Sequence, residues 1–194
     1  MSKISGFTGS TAERLLLDAG AFFKDYDLAT DTFETAVTAG KLLGATQGGG
    51  AFSAVPTVRR IEIDGVKGAA KGLQAIDEWV VTLTANIKEI SAEAMQLALG
   101  TGVIGAGQTG YQKITANVDI SLTDYVDNIT WVGKLSGSEK PVIIVVKNAL
   151  STNGLSLTMA DKAEAVIAAT FTGYYDASDL DSPPFELYYP ETAK

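Results

Sequence analysis

Pro-Val-Ile-Ile-Val-Val (residues 141–146) runs straight into Lys147-Asn148-Ala149-Leu150. Gly154-Leu155-Ser156-Leu157 follows, then an apolar alternation ending at Phe171-Thr172-Gly173-Tyr174-Tyr175-Asp176, and finally Pro183-Pro184-Phe185-Glu186-Leu187-Tyr188-Tyr189-Pro190. Short β-branched and aromatic runs punctuated by Gly, Asn and Pro are strand chemistry, because branched and aromatic side chains fit a pleated, half-buried surface. No residue of this tract is arranged like a catalyst. It reads as sheet and docking surface.

The same reading extends outward. Residues 12–26 form a first strand, with Leu15, Leu17, Ala19, Ala21 and Phe23 alternating against Arg14, Leu16, Asp18 and Phe22; apolar residues in both registers imply burial on two sides. From Lys24 to Ala39 the periodicity dissolves, so a long loop is expected over about 24–57. It is relieved only by short extended pieces at 41–43 and 51–53, with a turn-rich Gly44–Gly50 between them. Val58–Asp64 alternates and closes on Asp64-Gly65, a turn signal. Glu78–Ile90 is the longest regular alternation in the first half, with Trp79, Val81, Leu83, Ala85 and Ile87 on one face. Ser91–Gly100 changes character: a Ser N-cap, Glu93 in the first turn, Ala and Leu throughout and a terminal Gly predict the one helix. Beyond a glycine-rich connection (100–110), strands are expected near 111–120, 126–135, 140–149, 154–159 and 163–175, and a C-terminal arm over about 176–194. The expected fold is mainly β, a sandwich or open barrel with a packed helix and long loops, in a single domain spanning 1–194.

Composition narrows the chemistry. The chain has 194 residues, 46% of them apolar and 20% charged, enough for one real core and unlike a disordered segment. It contains no cysteine and no histidine, which removes thiolate nucleophiles, disulfides, Ser-His-Asp relays and ordinary zinc sites. The formal charge is −8, and the basic residues are dispersed apart from Arg59-Arg60 and Lys67/Lys71, so tight nucleic-acid binding is not expected. Met1–Ser10 lacks a signal-type apolar core and no stretch approaches the ~18 apolar residues of a spanning helix, so a soluble protein made in the cytoplasm, without membrane contact, is expected.

Each motif with chemical content has a plainer explanation. Gly100-Thr101-Gly102-Val103-Ile104-Gly105 matches GxGxxG, but here a helix precedes the glycines and a strand comes after. That reverses the order that sets pyrophosphate on a helix N-terminus. Asp176, Asp179 and Asp181 lack the spacing, glycine and terminal Glu of a calcium loop and read as a solvated turn. Glu62, Asp64, Asp77 and Glu78 could include a glycosidase-type pair, but nothing in the sequence fixes a separation, and strand-end charges explain them. The aromatics Trp79, Trp131, Phe171, Tyr174, Tyr175, Phe185, Tyr188 and Tyr189 lack the neighbouring cations of a base-stacking platform, so they read as core and subunit-interface packing. No catalytic, cofactor or metal-binding residue is assigned.

Leu17-Asp18-Ala19-Gly20-Ala21, Leu43-Gly44-Ala45-Thr46-Gln47-Gly48-Gly49, Ile61-Glu62-Ile63-Asp64-Gly65 and the 141–190 tract together resemble the major tail tube proteins of long-tailed, siphovirus-type bacteriophages of Gram-positive hosts. The resemblance implies a non-enzymatic virion subunit: a β-sandwich with a flanking helix, assembled in the host cytoplasm into hexameric rings. The rings stack around a tape-measure protein, between terminator and baseplate proteins. Double-stranded DNA then passes through the lumen without tight binding, which an acidic lining would favour. Gly44, Gln47, Gly48, Gly49, Phe52, Phe185, Tyr188 and Tyr189 are the candidate subunit-interface residues. Loops in 24–53 are expected to order only on assembly, and Pro183–Pro190 to lie across a neighbouring subunit. The competing expectation is a non-enzymatic β-sandwich binding module, on a virion or cell surface, that takes carbohydrate on exposed aromatics.

Overall fold

The computed structural model describes residues 5–157, 159 and 161–191. A 3-10 turn (Thr11–Glu13) leads into β1 (Leu16–Lys24), followed by α1 (Phe33–Thr38), β2 (Thr46–Arg60), β3 (Gln74–Ile87) and α2 (Ala92–Leu99). Then come β4 (Gly102–Ala106), β5 (Gln112–Ala116), a second 3-10 turn (Leu122–Asp124), β6 (Val126–Leu135), β7 (Val142–Ser151), β8 (Ile167–Gly173) and β9 (Phe185–Tyr188). The fold is mainly β and every strand pairing is antiparallel.

The principal sheet runs β1-β6-β7-β8-β3-β2, with β9 added to β7, and β4-β5 is a separate hairpin. The apolar run that opens β7 explains its central place. β7 pairs with β6 from Val142 to Ala149 and with β9 over Ile143–Val146, then gives its last two residues, Leu150 and Ser151, to β8. Near that switch Asn148 takes φ 47°, a left-handed conformation that Asn tolerates better than most residues, and its side-chain amide donates to the Tyr174 carbonyl at 3.1 Å. The sheet thus divides into two arms, β1-β6-β7-β9 and β2-β3-β8, that share one core.

Phe22, Ile129 and Val146 of the first arm bury against Val81, Leu83, Ala85 and Ile87 of β3 and Ile167, Ala169 and Phe171 of β8, with Ala94 and Ala98 of α2. Each large side chain so buried contributes about 1.5–3 kcal/mol from surface removed from water. The alternation read for 79–87 is the burial seen: Val81, Leu83, Ala85 and Ile87 are buried while Thr82, Thr84 and Asn86 are not. α2 begins where Ser91 Oγ accepts from the Ala94 amide at 3.0 Å and ends at Gly100 with φ 76°. A smaller cluster joins Phe23, Tyr26, Ala36 and Val132. Two-sided burial at the first strand therefore holds at Phe22 and Phe23, which point into different clusters, and fails at Leu15–Leu17, which are exposed.

Several expected boundaries move. The expected loop 24–57 contains a second helix and most of the longest strand. α1 is only six residues, held by a reciprocal Thr32/Thr35 capping box, by buried Ala36 and by the edge of Phe33 on Phe23 at 5.6 Å. The segment behind it is hydrogen-bonded to β1: Lys24 and Leu43 amides donate to the Lys41 and Phe22 carbonyls at 2.9 Å each. The glycine run expected as a turn is the start of β2, where Gly48 and Gly49 (φ 77° and 64°) make a bulge against β3 between Thr46 and Gly50. The glycine connector 100–110 supplies β4, and only Gln112–Ala116 of the strand expected at 111–120 forms. Of 154–159, Leu157 makes an isolated bridge to Ile167, and Thr158 lies outside the described residues. The expected arm 176–194 includes β9, seated on its own β7; residues 192–194 lie outside the described residues.

Candidate assembly surface

The first arm ends in an unpaired strand on each side. β1 pairs only with β6 among named strands, and β9 only with β7. The far end of β1 is covered, since Phe23 bridges Leu42, but the near end is open. There Leu15, Leu16 and Leu17 stand exposed in succession, Leu16 at 55%. At the opposite edge β9 exposes Leu187 and Tyr188, and Tyr189 extends beyond them into solvent.

The open end of β1 is shaped by a bulge between Leu17 and Ala21, with Asp18 at φ 65° and Gly20 at φ 68°. Trp131 of β6 causes it. Its indole N–H donates to the Ala19 carbonyl at 2.8 Å, and a Cβ on Gly20 would fall 2.3 Å from the indole nitrogen. A Cβ on Gly133 would meet the same ring at 1.9 Å, so two glycines make the slot that the indole fills.

β2 lies across from this edge without hydrogen-bonding to it along the sheet path. The two edges leave an apolar cleft of about 420 Å³ lined by Leu16, Ala19, Phe22, Gly48–Phe52 and Trp131, among others. Gly49 makes the approach close: a Cβ there would touch the Ala19 methyl at 3.5 Å.

The eight candidate interface residues separate into distinct places. Gly48, Gly49 and Phe52 line the seam between β1 and β2. Phe185 is inward, tilted against Phe52 at 5.8 Å and edge-on to Trp79 at 5.5 Å, so it is a packing residue of its own chain. Tyr188 and Tyr189 are exposed at the β9 edge. Gln47 is exposed on β2; Gly44, at φ 113°, precedes that strand, and a Cβ there would meet Glu89 at 2.9 Å. The leucines of β1 are the surface residues that strand alternation missed: three successive leucines exceed what one buried face can use, and that surplus was the available signal.

Glu186 fastens β9 to β7. Its carboxylate receives Lys147 Nζ and the Tyr188 hydroxyl, and these bonds, Lys147 first, hold it below the usual carboxylate range. The same hydrogen bond to Glu186 raises the Tyr188 phenol.

Of the remaining charged motifs, Asp77, Glu78 and Asp176 have local structural partners. Asp77 pairs with Arg59 at 3.0 Å, and Glu78 accepts from Thr57 at 3.4 Å, both on the outer β2–β3 ribbon. Asp176 closes a turn by accepting the Ser178 amide and hydroxyl, bonds that lower its pKa. Among the described residues no three acidic groups converge closely enough for a metal ion, and no helix is long and apolar enough to cross a membrane. GxGxxG spans the end of α2 and the start of β4, the reverse of a dinucleotide turn.

No protein-family model matches the chain, and no curated protein matches it significantly.

Proposed function

We propose that this chain is a structural subunit of a bacteriophage tail tube, forming hexameric rings that stack into a channel for double-stranded DNA in the virion tail. The observation that carries the reading is the four-stranded arm β1-β6-β7-β9, open at both ends and apolar at both open edges. An open, apolar strand edge invites pairing with another chain and is a hazard in a monomer. Here two such edges lie on opposite sides of one sheet, which suits a head-to-tail interface repeated around a ring until it closes. Six arms joined β9 to β1 would form a continuous barrel with no free edge. In this reading Leu15–Leu17, Gly48, Gly49, Tyr188 and Tyr189 belong to subunit interfaces. A net charge of −8 favours passage of DNA over its retention. The tape-measure, terminator and baseplate proteins are the partners that the resemblance supplies.

The test is negative-stain electron microscopy of the purified chain across a concentration series. Six-fold rings or hollow striated tubes are expected. Monodisperse particles at every concentration, also in the presence of preformed tail initiator, would count against the proposal.

A further inference from the structure

The ribbon made by the outer halves of β2 and β3 has no third strand beside it. From Val55 and Val80 outward its strands pair only with each other, and these two residues face one another at 56% and 47% exposure. Val58 and Ile76 form the next apolar pair, also half exposed, and the turn beyond leaves Ile61, Ile63 and Val66 exposed. A Cβ at Gly65, Gly68 or Gly72 would meet nothing within 4 Å, so the tip stands clear of the body at each of these points. A two-stranded ribbon is marginal alone in water, and an apolar face of this kind marks a contact surface.

The tip is also basic, in an acidic chain. Residues 59–73 carry Arg59, Arg60, Lys67 and Lys71 against Glu62 and Asp64. Arg59 is held by Asp77, and Arg60 donates to the Gly68 carbonyl. Lys67 and Lys71 have no ion-pair partner among the described residues.

A complementary surface lies on the same molecule. A cleft of about 550 Å³ presents Asp25, Asp27, Asp127, Asp176, Asp179 and Glu186, with Lys147, which Glu186 already engages. These carboxylates do not converge on one ion. They suit cations delivered on separate side chains, as a ribbon delivers its lysines.

Position selects the pairing. The ribbon base, Ile76–Trp79, lies against Tyr175, Leu180, Asp181 and Pro183, while the cleft is lined by Asp176, Ser178, Asp179 and the same Pro183. Ribbon and cleft thus flank one segment, yet no ribbon residue lines its own chain's cleft, which leaves the cleft open to the ribbon of another copy.

We infer that Lys67 and Lys71 at the ribbon tip of one copy seat in the acidic cleft of an adjacent copy, at Asp127 and Asp179, with the neighbour covering the ribbon's apolar face. The inference rests on the proposed self-assembly. Three variants test it, by light scattering and negative-stain microscopy against protein concentration: K67E/K71E, D127K/D179K, and the two combined. The four positions are exposed and their side chains make no hydrogen bond among the described residues, so circular dichroism should be unchanged. Each double reversal should raise the concentration needed for assembly by about tenfold or more, since like charges then face each other, and the combination should recover most of the loss. Should a reversal unfold the chain, K67Q/K71Q gives the same reading with smaller effect. Wild-type protein that assembles while both reversals leave the concentration dependence unchanged overturns the ribbon contact and leaves the tube reading standing. Wild-type protein that never self-associates, also in the presence of preformed tail initiator, overturns both.

Discussion

A tight local constraint is the slot for Trp131. Its indole is fixed by a hydrogen bond to Ala19 and enclosed where Gly20 and Gly133 offer hydrogen in place of a methyl. A β-carbon at Gly133 would overlap the ring, which could make room only by giving up its hydrogen bond to Ala19. G133A should therefore destabilise the chain by about 1–3 kcal/mol, the range for overpacking a filled site, read as a lower midpoint in urea with unchanged slope. Gly6 and Gly9, where an added Cβ meets nothing, are the controls. Equal stability of G133A and G9A would show that the slot is not tight.

At the scale of elements, β9 is the part whose attachment depends on pH. Four residue pairs place it on β7, Phe185 anchors it against Phe52 and Trp79, and Glu186 ties it to Lys147. Glu186 titrates below its ordinary 4.5 in the folded chain, so its contribution is complete above that value and is lost as pH falls through the lowered one. Asp27, lowered by bonds from the Ala29 amide and Thr30, and Asp31, lowered by the Asp27 amide and Lys41, act with the same sign in the 25–41 segment. Protection of the amides of 185–188 and 27–31 from hydrogen exchange, corrected for the intrinsic rate, should thus be lost as pH falls below the ordinary carboxylate range, before the β3 and β8 amides lose theirs. No histidine is present to add a transition nearer neutrality. Exchange that rises together in β9 and β3 would mean that β9 opens only with the whole fold. Removing residues 183–194 takes away Phe185 and exposes β7, so a truncated chain tests folding as well as assembly.

For the whole molecule, the question is what covers the edges. L16K places a charge at the open end of β1, where the leucine is exposed and absent from both buried clusters. Thermal stability of the monomer should change little, while rings or tubes should fail to form at concentrations that suffice for the wild type, because a charged edge strand resists pairing. Sedimentation and microscopy on the same samples separate the two effects. Normal tubes from L16K would remove β1 from the interface.

The sequence by itself determined the features that local periodicity and local chemistry specify. Alternation in 79–87 and the apolar run at 142–146 specified strands, Ser91 and Gly100 bounded α2, and the mainly-β class came from the number of such strands. Tertiary structure decided the features that depend on partners distant in the chain. α1 exists because Ala36 and Phe33 meet Phe23, although six residues carry too little period to show it. The backbone from Thr46 to Gly50 is strand because β3 supplies its hydrogen bonds, as the pairs Thr46↔Ile87 and Gly50↔Ala85 show, while glycine's own preference is for turns. Phe185 turns inward because Phe52 and Trp79 wait for it, whereas the rings of Tyr188, whose hydroxyl reaches Glu186, and Tyr189 stay exposed. Burial is a property of pairs of segments, and one segment read alone carries only half of each pair.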